Sequence, residues 1–423
     1  MAAAILRGGY TWLLRLLLPV LLLRLLWRGR RQPAYRRRLG ERLGFAPRLE
    51  PRARRLWVHA VSVGEVIAAV PLIRAWQARF PEDAVLVTTT TPTGMEEVRR
   101  RLGGAVDHRY LPLDLPGAVR RFLGRCPADR LLVMETELWP NLYRACRRRG
   151  VPVMLVNARL SARSCRGYAR LRPLLRATLA DAALIAARGP EDAGRFRALG
   201  APPGRVGVAG NIKYDLTLSA AVRQAARDLR RALGPRPVWI AASTHEGEEE
   251  RVLEAHARLR RRRPDALLIL VPRHPERFDA VARLCQGAGW SMMRRSAGGL
   301  PGAEAAVWLG DTMGELATLC GAADGAFLGG SLVPVGGHNP LEPAAHGVPV
   351  ITGPHVFNFE AVYADLEAAG GVRRVADATE LAGALVALLG DAAARSALAA
   401  GATRVLEGNR GVVARLVARA AAL

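Results

Sequence analysis

Lysine is almost missing: of 62 basic residues one is lysine, Lys213. A replacement that uniform points to a genome-wide preference for arginine codons, so the formal charge of +25 is weak ground for nucleic-acid binding, although it favours anionic partners and membrane surfaces. Aromatic residues are also scarce, 5% and thinly spread, which argues against the stacking platforms that hold single-stranded nucleic acid. Five cysteines, at 126, 146, 165, 285 and 320, are odd in number and form no C-x-x-C pair. That excludes a disulfide framework and a zinc ribbon, and predicts buried thiols in a reducing compartment. The eight histidines make no H-E-x-x-H or H-x-H pair, and no D-x-D occurs. "ETE" at 135–137 is the nearest approach to a metal site, and a metal-independent mechanism with no cofactor is expected.

What is present is a chain of 423 residues, half of them apolar, long enough for two ordinary domains with sizeable cores. From Ile5 to Trp27 it is mostly leucine, about the length that crosses a bilayer, but Arg7, Arg15 and Arg24 interrupt the run and do not share one helical face. No small-residue cleavage site follows, which argues against a removed signal peptide. Arginines at 28, 30, 31, 36, 37 and 38 come next, and such clusters stay cytoplasmic. Residues 1–30 therefore read as a membrane anchor with a cytoplasmic body, the alternative being a buried helix of a soluble domain.

Beyond residue 55, short apolar runs alternate with helical stretches. Strands are expected near 56–61, 84–90, 130–134, 152–157, 182–187 and 206–209, with amphipathic segments at 66–79, 92–102 and 139–149 between them. The rhythm restarts after 235 with "PVWIAAS", "ALLILVP", "GAFLGG" and "VPVIT". Two α/β domains follow, 31–210 and 211–423, joined near 210–235, with a last helix over 404–423 able to pack on either. In open parallel sheets ligands sit at the carboxyl ends of strands, and the polar, glycine-rich segments fall there, so both domains are expected to face a common cleft.

"HAVSVGEV", 59–66, is a strand-to-helix turn of the kind that binds phosphate, yet it carries a carboxylate, Glu65, after its one glycine. A glutamate in the first helical turn is held as the anion by the dipole and is ready to accept a proton; the plainer reading is a glutamate that only complements that dipole. "GGHNPLEP" puts two glycines before His338 and Asn339, then Pro340, Leu341 and Glu342 at a helix start. Its N–H groups suit a phosphate or ribose, with Glu342 accepting from a hydroxyl pair, unless the segment is simply a capped helix. "PRHPERF" offers Arg273 and His274 after a strong strand. "DTMGEL" offers Met313, Gly314 and Glu315, or merely an N-cap by Asp311 or Thr312. Lys213 marks a place where a compact ammonium is needed in place of a planar fork, or is a chance survivor.

With "YRRRLGERLG" (35–44), "TTTTPTG", "ETELWPN", "GNIKYD", "GGSLVPVGGHNPLEP" and "GPHVFNF" (353–359), these motifs in this order resemble the 3-deoxy-D-manno-octulosonic acid (Kdo) transferases of lipopolysaccharide assembly over most of the chain. The resemblance implies a glycosyltransferase-B fold of two Rossmann-like domains, the acceptor on the N-terminal one and CMP-Kdo on the C-terminal one. It implies inverting, metal-independent transfer to a lipid A precursor at the cytoplasmic face of the inner membrane. Carried over by motif, Glu65 is the base, and Arg273, His274, Met313, Gly314, Glu315, Asn339, Pro340, Leu341 and Glu342 form the cytidine nucleotide site; beside that carry-over, Lys213 is a candidate contact for the donor phosphate. The leader departs most from the pattern, because arginines break it. Three rival readings remain: a related glycosyltransferase-B enzyme using another nucleotide sugar, a basic RNA- or DNA-binding protein, and a catalytically idle membrane scaffold.

Overall fold

The computed structural model describes residues 2–216 and 218–423; Met1, in the expected anchor, and Thr217, in the expected joint, lie outside the described residues, as do the side chains of Ala2 and Arg31. The chain divides into two compact units, Met1–Asp215 with Gly411–Leu423, and Leu216–Arg410.

The first unit carries β1 (Arg55–His59), β2 (Ala84–Thr89), β3 (Asp107–Tyr110), β4 (Arg130–Met134), β5 (Val153–Ala158), β6 (Leu184–Ala187) and β7 (Val206–Val208). They form one parallel sheet ordered β3-β2-β1-β4-β5-β6-β7. Helices cover both faces, which is why β4 and β5 read as unbroken apolar runs rather than as alternation. β3, with the text "DHRY", escapes a reading by hydropathy because it is an edge strand whose Asp107 and Arg109 stay half-exposed while His108 and Tyr110 turn inward. Strand order reverses between β1 and β4, the place where doubly wound sheets open a crevice at their carboxyl ends.

The second unit repeats the plan with β8 (Val238–Thr244), β9 (Leu267–Pro272), β10 (Met292–Arg294), β11 (Val307–Leu309), β12 (Gly325–Leu328), β13 (Val350–Thr352) and β14 (Val372–Arg374), ordered β10-β11-β9-β8-β12-β13-β14. Its reversal lies between β8 and β12. β10, β11 and β14 are three residues each, too short to show a period in the sequence.

The end of the chain departs from expectation. The segment 404–423 is broken, one helix closing at Gly408 and another spanning Val412–Ala421, and the latter belongs to the first unit. Val412, Leu416, Val417 and Ala420 are buried in the core formed by Leu56, Val58, Ile73 and Trp76. Asp215 secures the return, its carboxylate accepting from the N–H groups of Gly411 at 2.8 Å and Val413 at 2.6 Å. Four of the five cysteines are buried as expected; Cys165 is only half-buried.

Asp215→Ala removes the acceptor for two helix-terminal N–H groups and is expected to destabilise the first unit by about 1 kcal/mol. A lowered midpoint for the first unfolding transition checks it, and an unchanged midpoint would show that apolar packing alone holds the helix.

Candidate active site

At the carboxyl end of β1 the helix Val63–Arg79 starts three residues earlier than the apolar pattern indicates, so Gly64 and Glu65 lie inside its first turn. Ser62 caps it: its Oγ accepts from the Glu65 N–H at 3.4 Å and donates to Glu65 Oε1 at 3.0 Å, while the Val61 N–H donates to Oε2 at 2.8 Å. This reciprocal arrangement fixes the carboxylate and leaves it 9% exposed. Each carboxylate oxygen can accept two hydrogen bonds, so both keep a free acceptor position. The dipole alone would lower the pKa of the group; the structure gives the opposite balance. Burial pushes the Glu65 carboxyl above its ordinary value, the Val61 N–H and Ser62 hydroxyl pull it back, Glu135 pushes it further up and Lys213 down. His59, at the start of the motif, is a core residue, its Nδ1 2.9 Å from Thr88 Oγ1.

Across the reversal, the end of β4 supplies Glu135 and Glu137. Glu135 holds φ of +56°, a left-handed backbone that a branched or bulky residue seldom adopts. Its Oε1 lies 3.6 Å from the Lys213 ammonium, so the "ETE" segment meets a cation of the protein itself. Burial, then the charge of Glu65, pushes Glu137 up to about 7. Lys213 is positioned by two asparagines: Asn157, also left-handed at φ +54°, accepts from the Ile212 N–H at 3.1 Å, and Asn211 accepts from the Lys213 N–H at 3.1 Å. Lys213, expected at the start of the second domain, thus belongs to the first unit and stands beside Glu135 and Glu65. Among the described residues no group of three His, Cys, Asp or Glu side chains is placed to hold a metal ion.

In the second unit, the loop after β12 is organised by a residue whose role the sequence conceals. Glu248 is fully buried and accepts from the N–H groups of Gly330 at 2.6 Å, Leu332 at 2.9 Å, Ser331 at 3.0 Å and His245 at 3.3 Å. Four glutamates share the segment "THEGEEE", two of them, Glu248 and Glu249, are buried, and nothing in the text singles out the one that gathers the loop amides. The N–H groups of Gly336 and Gly337 bond the Gly330 carbonyl at 3.0 and 2.8 Å. The amides expected to be open to a phosphate are therefore engaged within the loop. His338 stacks on His245 with Nε2 atoms 2.8 Å apart, and His274 meets His245 edge-on at 5.5 Å between centroids. Burial, then the neighbouring His245, pushes His338 down to about 4.

Of the remaining expected nucleotide residues, Arg273 and His274 are exposed after β9. Asn339 Oδ1 accepts from the Leu341 N–H at 3.2 Å, Pro340 precedes the short helix Leu341–Ala345, and the Leu341 side chain is buried in the core, so only its main chain is left for a ligand. Glu342 is half-buried, its carboxyl raised by burial, with no side-chain hydrogen bond or ion pair among the described residues. Met313, 66% exposed, Gly314 at φ +87° and Glu315 gather after β11, where Glu315 pairs with Arg295 at 2.8 Å and accepts from Thr312. Arg295 and Thr312 hold Glu315 below the usual carboxylate range. Asp311 caps no helix here; it binds Arg294 at 2.6 Å and the Ser296 N–H at 2.8 Å.

Residues 37–216 match the family described as 3-Deoxy-D-manno-octulosonic-acid transferase (kdotransferase). A 3-deoxy-D-manno-octulosonic acid transferase of Haemophilus influenzae is 44% identical over 416 residues, 97% of each chain. Among solved structures, the C-terminal CMP-Kdo binding domain of WaaA from Acinetobacter baumannii is 38% identical, covering 45% of this chain and all of that one, with a TM-score of 0.43. MurG of Acinetobacter baumannii, 14% identical with a TM-score of 0.54, covers 88% of this chain and all of that one and shares the glycosyltransferase-B fold of two Rossmann-like domains. With those sheets, those strand-end loops and that identity along nearly its whole length, the chain belongs to the Kdo transferases, a family of glycosyltransferases of lipopolysaccharide biosynthesis.

Proposed function

We propose that the protein transfers Kdo from CMP-Kdo to a lipid A precursor, with inversion and without a metal ion, at the cytoplasmic face of the inner membrane. One observation carries the mechanism. The Glu65 carboxylate sits at the strand reversal of the first unit, fixed by two donors and shifted by burial toward a stronger base. In this reading Glu65 takes the proton of an acceptor hydroxyl as its oxygen bonds the anomeric carbon of Kdo, and the bond from that carbon to the CMP phosphate oxygen breaks, its electron pair leaving with CMP. The transition state is oxocarbenium-like, as in sugar transfers generally. Arg273 and His274 steady the leaving phosphate, and Lys213 is a candidate contact for the donor phosphate. Glu342, a carboxylate with no protein partner among the described residues, accepts from the ribose hydroxyls, with Asn339, Pro340 and Leu341 shaping the turn before it. Met313, Gly314 and Glu315 complete the nucleotide site. The exposed apolar helix at the N-terminus and the excess of arginine support membrane attachment.

Glu65→Gln is expected to lower turnover by about a hundredfold or more while CMP affinity changes less than about twofold, measured as CMP release and CMP binding. Near wild-type turnover in that variant would sink the base assignment. The base works only when ionised, so activity falls as pH drops through the raised pKa of Glu65. Removing the neighbouring charge in Lys213→Met raises that pKa further and is expected to move the acid limb of kcat/KM to higher pH. A limb that stays in place would separate Lys213 from the base. Chelation by EDTA is expected to leave lipid-dependent CMP release within about twofold of the untreated rate, and a loss restored by magnesium would refute metal independence.

A further inference from the structure

By length and composition the helix Ala2–Arg31 could cross a bilayer. Its contacts with the first unit argue otherwise. Near its start Arg7 pairs with the buried carboxylate of Asp181 at 3.3 Å, and Thr11 Oγ1 accepts from Asn141 Nδ2 at 3.0 Å. Tyr10 hydrogen-bonds Asp114, whose carboxylate also accepts from the N–H groups of Asn141 and Leu142. Near its end the chain folds straight back: Arg36 donates to the Leu26 carbonyl at 3.2 Å, then Arg38 to the His108 carbonyl at 2.8 Å and Arg42 to the Thr90 carbonyl at 2.6 Å. Both ends are therefore tied to one globular unit. Between Thr11 and Arg28 lie the sixteen residues 12–27, which rise about 24 Å, short of the roughly 30 Å hydrocarbon layer.

The arrangement also accounts for the arginines that break the leucine run. Half-buried or buried positions recur at Arg7, Thr11, Leu14, Leu18, Leu25 and Gly29, a single stripe along the whole helix. At about 100° per residue, Arg15 and Arg24 stand about 80° and 100° to either side of Arg7. The opposite face holds Ile5, Trp12, Leu16, Val20, Leu23 and Trp27, all within about 40° of its midline and all exposed, Leu16 by 73%. The helix is apolar on the face opposite that stripe and cationic along both flanks.

We propose that this helix lies in the plane of the membrane, its outward face in one leaflet of an anionic phospholipid bilayer and Arg15 and Arg24 among the headgroups. The proposal rests on the membrane attachment proposed above and specifies its geometry. Trp12 and Trp27 then sit at the interface that indole favours, and the residues before Arg7 remain on the side of the catalytic body.

The test makes Ala4→Cys in a Cys165→Ser background and applies a membrane-impermeant maleimide to spheroplasts and to inverted inner-membrane vesicles. The expected result is labelling in inverted vesicles and none in spheroplasts. Labelling in spheroplasts means a spanning helix, refusal on both sides means a residue inside the hydrocarbon, and either overturns the proposal. A chain absent from the membrane fraction would overturn the attachment itself, a distinct failure. As a second measurement, Leu16→Glu with Leu23→Glu is expected to weaken binding of the purified protein to phosphatidylglycerol-containing vesicles at least tenfold; unchanged binding would also overturn it.

Discussion

Carboxylates bound by main-chain N–H groups hold this molecule's loops in place. Glu248 gathers four amides of the second unit, Asp114 accepts from Asn141 and Leu142, Asp215 from Gly411 and Val413, and Glu65 from Val61. Each satisfies donors that a helix start or tight loop leaves open, and burial without such donors would cost several kcal/mol per charge. The anion in a turn built like a phosphate cradle is thus part of the protein. At Glu65 the same device leaves an acceptor free and a pKa raised, so a structural cap is also equipped to act as a base.

Arginine performs the complementary task at the carbonyl ends. Arg205 donates to the Ala180 and Ala182 carbonyls, Arg236 to those of Pro301, Gly302 and Ala305, and Arg55 to those of Glu50 and Pro127. A guanidinium fork can satisfy two or three acceptors at fixed angles, which a lysine ammonium does less well. Much of the positive charge is therefore spent inside the fold, and the total of +25 says little about a polyanionic partner.

Lys213 fits this division. It sits where one carboxylate, Glu135, and the field at Glu65 meet, held by Asn157 and Asn211 in a loop that closes the first unit before the chain leaves it. The left-handed backbone at Glu135 and Asn157 falls at adjacent strand ends, β4 and β5, beside the candidate base. Strain of that kind persists only where surrounding contacts over-determine it.

From the sequence alone came the two-domain α/β plan, the long central strands, the membership in a transferase family and the loops that carry polar residues, because strand period, helix caps and motif order are local properties. β3 stayed hidden because it is polar, and β10, β11 and β14 because three residues show no period, while β7 and β13, equally short, were marked by their apolar runs. Only the tertiary structure decided that Glu248 among four neighbouring glutamates gathers the loop amides, that the glycine amides near 336 are internally bonded, that Lys213 and the final helix join the first unit, and that the arginines of the leader leave one face apolar. Each of these depends on which distant residue lies opposite, Gly330, Glu135, Asp215 or Asp181, and that pairing is set by how the sheets bring remote strand ends together.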